Sequence, residues 1–214
     1  MTESEPGELF ETDRLLAFSD AVFGVAITLL VIDLRLPLLP AGSGDAAWLL
    51  ALWDMGPKLG VFAFTFLVVG MGWLGHHRKF SYVEKVNGRL LWVNLIYLLA
   101  LCLVPFASSA LGDASSRFAF ALYSAVMAIV DLLSACLSAC VLRAPFLGGR
   151  LRLSPALRRD MILAPLFAGA IFAIAAAAAL LAYVRAAHWL LILIVPAMAF
   201  FGSRARKASA QRTP

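Results

Sequence analysis

Four polar side chains interrupt the first long apolar run of the chain, RLLAFSDAVFGVAITLLVIDLRLP: Ser19, Asp20, Thr28 and Asp33. A carboxylate in hydrocarbon is costly, so it normally faces protein or water and marks function. Asp33 lies near one end of the run, within reach of the interface or of Arg35. Asp20 sits about two turns inside a helix and needs partners. At 100° per residue, Phe18, Ala21, Val25, Thr28 and Ile32 fall on one stripe, with Leu29 on its border. Arg14 projects from the same stripe at its mouth. Asp20 falls on the opposite face and Ser19 to one side. One face is therefore apolar with a single hydroxyl. The other carries a carboxylate to be satisfied by neighbouring helices rather than by a pore.

Partners for Asp20 stand further along the chain. Trp73, His76 and His77 end the second apolar run, at the depth where the first begins. Asn94 lies about one turn into the third run from the same side. A hydrogen-bonded Asp–His or Asp–Asn cluster would tie three helices together, which is how buried carboxylates are accommodated. Catalysis is the weaker reading. Adjacent histidines point to different helix faces and lack the i, i+4 spacing of a zinc helix. No phosphate loop, nucleophile elbow or second carboxylate accompanies them. The expected role is a structural clamp, and the expected class is not an enzyme, with no cofactor and no metal.

The elements that must position these residues are transmembrane helices. The 214 residues are 62% hydrophobic and 14% charged, with a mean hydropathy of +0.88. Soluble domains carry about 25% charged residues. A span needs about 20 mostly apolar residues, and six stretches qualify. They run from Arg14 to Leu36, Ala47 to Trp73 with a kink near Pro57, Leu90 to Ala110, Arg117 to Leu142, Met161 to Tyr183, and His188 to Phe201. Thr12 is the expected N-cap of the first. The fold class is all-α, a polytopic membrane protein with six transmembrane helices and one helix bundle per subunit. Residues 1–13 form a short N-terminus, 14–202 the transmembrane domain, and 203–214 a basic tail.

The net charge is +5, and its placement favours topology over nucleic acid. Fourteen of the 18 Lys and Arg residues fall in the N-terminus, the segments after spans two and four, and the tail. Positive residues stay cytoplasmic, so both termini are expected inside, as an even number of spans requires. Cys102, Cys136 and Cys140 sit within apolar runs and form neither a disulfide framework nor a zinc pattern. The acidic first residues do not resemble a cleavable signal.

The first run closely resembles the first helix of the transmembrane-protein-175 potassium channel family. The resemblance rests on Arg14, Phe18-Ser19-Asp20, Thr28-Leu29-Leu30, Asp33 and Pro37. WLGHH at Trp73 to His77, Asn94 and Pro105-Phe106 are similar to the family's second and third helices. The first half of the chain carries the likeness; the second half matches only in helix number and length. The resemblance implies a bacterial six-helix member forming a homotetramer in the cell membrane. It implies a pore lined by Val25, Thr28, Leu29 and Ile32, without the carbonyl filter of ordinary potassium channels. It also implies a network of Arg14, Phe18, Ser19, Asp20, Trp73, His76, His77 and Asn94, with Arg14 turned into the Ser19/Asp20 cluster. Val25 stands where many relatives carry Ile or Leu, so its ring is expected to be wider, and Gly24 beside it to loosen the helix. The expected function is a weakly to moderately selective potassium-permeable leak channel, with K+ as permeant ion. Its partners are further copies of itself and membrane lipid, not nucleic acid. The alternative is a proton-coupled transporter or proton-conducting protein using Asp20, His76 and His77. Against that stands the absence of an inverted repeat or paired interrupted helices.

Overall fold

The computed structural model describes residues 10–36, 38–113, 116–143 and 153–183, with a few further positions between 189 and 203. Among the described residues the elements are β1 (Phe10–Glu11), α1 (Thr12–Leu29), α2 (Asp45–Asp54), α3 (Gly56–Phe80), β2 (Lys85–Val86), α4 (Gly88–Cys102), α5 (Val104–Asp113), α6 (Arg117–Arg143) and α7 (Pro155–Leu180). The expected six spans therefore appear as seven helices. Spans two and three are each divided, and span six lies mostly outside the described residues.

Both divisions have a proline behind them. Pro57 has no amide hydrogen, which the first turn of a helix tolerates because no partner is needed there. The chain closes α2 and opens α3 through Met55 instead of kinking one long helix. α3 then continues to Phe80, seven residues beyond the expected end. Pro105 likewise sits in the first turn of α5, after α4 has closed at Leu103. α4 and α5 nevertheless form one apolar stretch, Gly88–Gly112. With α3, α6 and α7 it makes four helices, among the described residues, long and apolar enough to cross a membrane. α1 has only 18 residues, about 27 Å of rise, and carries Asp13, Arg14 and Asp20.

Caps set the other boundaries. The N-cap of α1 is Glu11, not Thr12, which is the first helical residue and is buried. The Asn87 side chain accepts the Leu90 amide hydrogen at 2.9 Å and starts α4. Ser154 accepts from Leu157 at 3.3 Å, with Pro155 next to it. That cap starts α7 six residues before the Met161 expected from hydropathy. Beyond α1 the chain turns with i→i−3 bonds, including Val31 to Thr28 and Ile32 to Leu29, so the α-helix stops seven residues short of Leu36. Gly42, at φ +86°, makes the turn of the α1–α2 loop, a conformation that costs glycine little.

α6 is the hub: it packs most extensively on α7 and also meets α3, α4 and α5. α1 lies against α3, α4 and α5. On the side where α1 begins, β1 pairs antiparallel with β2, Phe10 opposite Val86. This short ladder fastens the entry of α1 to the α3–α4 connection.

Candidate functional site

The two faces of α1 separate cleanly. Leu15, Ser19, Phe23, Ala26 and Leu30 are buried, at the i, i+4 and i+3 steps of a packed helix face. Phe18 at 53%, Val25 at 57% and Ile32 at 56% exposure lie on the other face, with Arg14, Ala21, Gly24, Thr28 and Leu29. The candidate pore positions Val25, Thr28, Leu29 and Ile32 are thus all on the face that no other helix covers among the described residues. Thr28 Oγ1 donates to the carbonyls of Gly24 and Val25, both at 2.9 Å. One proton serves the two acceptors, so the oxygen's lone pairs are left facing the open side.

The covered face is held by polar side chains. Ser19 Oγ donates to Leu15 O at 2.8 Å, and Asn94 Nδ2 donates to Ser19 Oγ at 3.0 Å. His76 Nε2 meets Asn94 Oδ1 at 2.8 Å. The amide oxygen can only accept, so His76 carries its hydrogen on Nε2. Donors then run in one direction, from α3 through α4 to α1. The His76 ring stacks on Tyr97, with centroids 5.7 Å apart and planes 8° apart. Phe23 and Phe80 pack at its other sides. Separately, Trp73 Nε1 donates to Asp20 Oδ1 at 2.7 Å. The structure therefore brings together Ser19, Asp20, Trp73, His76 and Asn94.

Three expected members stand apart. Arg14 is exposed and makes no hydrogen bond or ion pair among the described residues; it remains on the open stripe instead of joining Asp20. Phe18 faces outward. His77 is exposed and only leans on the Trp73 ring, at 6.0 Å. Among the described residues, no group of three or more His, Cys, Asp and Glu side chains could hold a metal ion.

Comparison with known proteins adds to this geometry. Residues 14–105 match the family model described as the endosomal/lysosomal potassium channel TMEM175. A potassium channel of Streptomyces collinus is 38% identical over 127 residues, covering 57% of this chain and 60% of the relative. A potassium channel of a Chryseobacterium is 41% identical over 106 residues, half of each chain. Through this segment the chain resembles the TMEM175 family. It spans 50–60% of the length of those two relatives. The fold likeness reaches further. The crystal structure of a lysosomal potassium-selective channel TMEM175 homolog from Chamaesiphon minutus superposes with a TM-score of 0.73. That match covers 91% of this chain and 97% of the other, at 22% identity. Every residue of the α1 stripe and of its polar anchor lies within the TMEM175 segment.

Sequence reasoning passed over one group. Asp131, in the middle of α6, is a second carboxylate inside an apolar span, and it is buried. The signal was the same as for Asp20: a lone acid in a long hydrophobic run. Lys79, taken as a topological charge, is buried beside it.

Proposed function

We propose that this chain is one subunit of a homotetrameric, potassium-permeable cation channel whose pore wall is the exposed stripe of α1. The observation that carries this reading is the division of α1 into two faces. Beyond Arg14 at its mouth, an apolar stripe with one hydroxyl is left uncovered among the described residues, while Ser19 and Asp20 are hydrogen-bonded to α4 and α3 on the other side. Further copies packed around an axis would cover that stripe. Val25 and Ile32, about 10 Å apart along the helix, would form apolar rings able to gate by dewetting. Thr28 lies between them. Its oxygen would replace part of an ion's hydration shell, a step easier for potassium than for the more tightly hydrated sodium. The names of the relatives, potassium channels, agree with this ion.

Potassium flux from liposomes tests the proposal. Wild-type protein is expected to pass potassium down its gradient without a pH gradient, and the Val25→Trp/Ile32→Trp variant to pass none. Absence of flux from folded wild type would sink the leak-channel reading, and flux only under a pH gradient would favour the coupled carrier. Flux persisting in the plugged variant would remove α1 from the pore wall. Thr28→Val should change the potassium/sodium permeability ratio about fivefold, the equivalent of about 1 kcal/mol for one lost polar contact. An unchanged ratio takes Thr28 out of the filter.

A further inference from the structure

A second buried polar cluster joins α3 to α6, and it does not depend on the α1 stripe. Lys79 is 5% exposed and Asp131 8%. The Lys79 ammonium donates to the Ser134 carbonyl at 2.9 Å and to Ser134 Oγ at 2.6 Å. That carbonyl also accepts from Ser138 Oγ at 2.9 Å. Asp131 lies one turn from Ser134 on the same helix. Its Oδ2 is buried and has no hydrogen-bond partner among the described residues, and no direct ion pair joins it to Lys79. α7 closes over it at Gly169. A Cβ at that glycine would stand 3.2 Å from the Asp131 Cβ and 3.4 Å from the Ala128 carbonyl.

An ionised carboxylate with an unpartnered oxygen inside a packed bundle is expensive, by several kcal/mol per ion. Binding a proton removes that charge. The groups that meet Asp131 electrostatically are Lys79 from α3, Tyr97 from α4 and Tyr123 from α6. α7 meets Asp131 at Gly169, which carries no charge. Neither tyrosine can neutralise a carboxylate, and two of the three Lys79 N–H donors are directed to Ser134.

We infer that Asp131 is a reversible proton-binding site separate from α1, and that its occupancy adjusts the hold of Lys79 on Ser134. With Asp131 ionised, the ammonium is drawn between the carboxylate and Ser134. With Asp131 protonated, Ser134 alone holds it. Lys79 lies one turn from His76 on α3, so the change is transmitted to the element that anchors α1. Packed side chains and rigid helices of this kind can carry such coupling.

Infrared difference spectra of the full chain in liposomes, from roughly pH 8 to pH 5, read protonated carboxyls directly. A carboxyl C=O band is expected to titrate in wild type and in Asp160→Asn, and to be missing from Asp131→Asn. In Lys79→Gln the same band should titrate about one pH unit higher, tenfold in proton affinity, because a cation that opposes proton uptake is gone. Should Asp131→Asn fail to fold, the Lys79→Gln shift decides. Bands that are identical in wild type, Asp131→Asn and Lys79→Gln overturn the inference, whether or not the protein conducts potassium.

Discussion

Asn94 uses both ends of its amide at once, accepting from His76 and donating to Ser19. Replacing it with Leu keeps the volume but leaves His76 Nε2–H buried and unpartnered, beside an Nδ1 that already has no partner among the described residues. An unsatisfied buried donor costs about 1–3 kcal/mol. Thermal denaturation in detergent should show that loss for Asn94→Leu and recover much of it in Asn94→Leu/His76→Phe, where neither partner remains. A double variant no more stable than the single one would mean that the hydrogen bond is not what holds the helices. This cluster was legible in the sequence because each member is a polar residue stranded in an apolar run. Arg14 was misplaced for a physical reason. A long cationic side chain at a helix end can reach solvent, so nothing compels it towards Asp20. Asp131 was equally visible, but it lies outside the stretch whose motif drew attention.

Helix boundaries follow local chemistry that hydropathy does not weigh. The breaks at Met55 and Leu103 are written in Pro57 and Pro105, and the start of α7 in the Ser154-Pro155 cap. Reading for apolar length alone merges the first two pairs and starts the last too late. Packing partners were less legible, since nothing in the sequence states which helix α6 embraces. α6 and α7 approach closely at Gly169, where an added Cβ would stand 3.2 Å from the Asp131 Cβ and 3.4 Å from the Ala128 carbonyl, tighter than ordinary contact. Small residues let helices in a bilayer approach in this way. Gly169→Ala should therefore destabilise the fold by about 1–3 kcal/mol, the range for overpacking. Gly24→Ala, at a glycine with open space around it, should have no such cost. Equal denaturation curves for Gly169→Ala and wild type would show that the helices separate freely to admit the methyl.

At the scale of the whole molecule, orientation decides what the polar anchor faces. Lys79 turns into the bundle, yet Arg78, Lys85 and Arg89 stay on the side of the α3–α4 connection, and Arg143 at the end of α6, Arg150 and Arg152 after it, and Arg158 and Arg159 at the start of α7 add five more. The opposite side carries Arg35, Lys58, Arg117 and Arg185. By the positive-inside rule, charge asymmetry of this size in short loops predicts that connection in the cytoplasm. It would place β1, β2 and the Ser19–Asn94–His76 chain at the inner end of α1, and the Asp33 end outside. Cysteine labelling checks this in a background without Cys102, Cys136 and Cys140. Ala41→Cys, exposed in the α1–α2 loop, should react with a membrane-impermeant maleimide on intact cells. Ser81→Cys, exposed just after α3, should react only once the membrane is opened. The reverse pattern would invert the molecule and put the anchor at the outer mouth of α1. Labelling of both sites from outside would mean that the charge asymmetry does not fix one orientation. The reverse pattern would also turn the Lys79 end of α3 to the other compartment, and with it the side from which the proposed Asp131 site is approached.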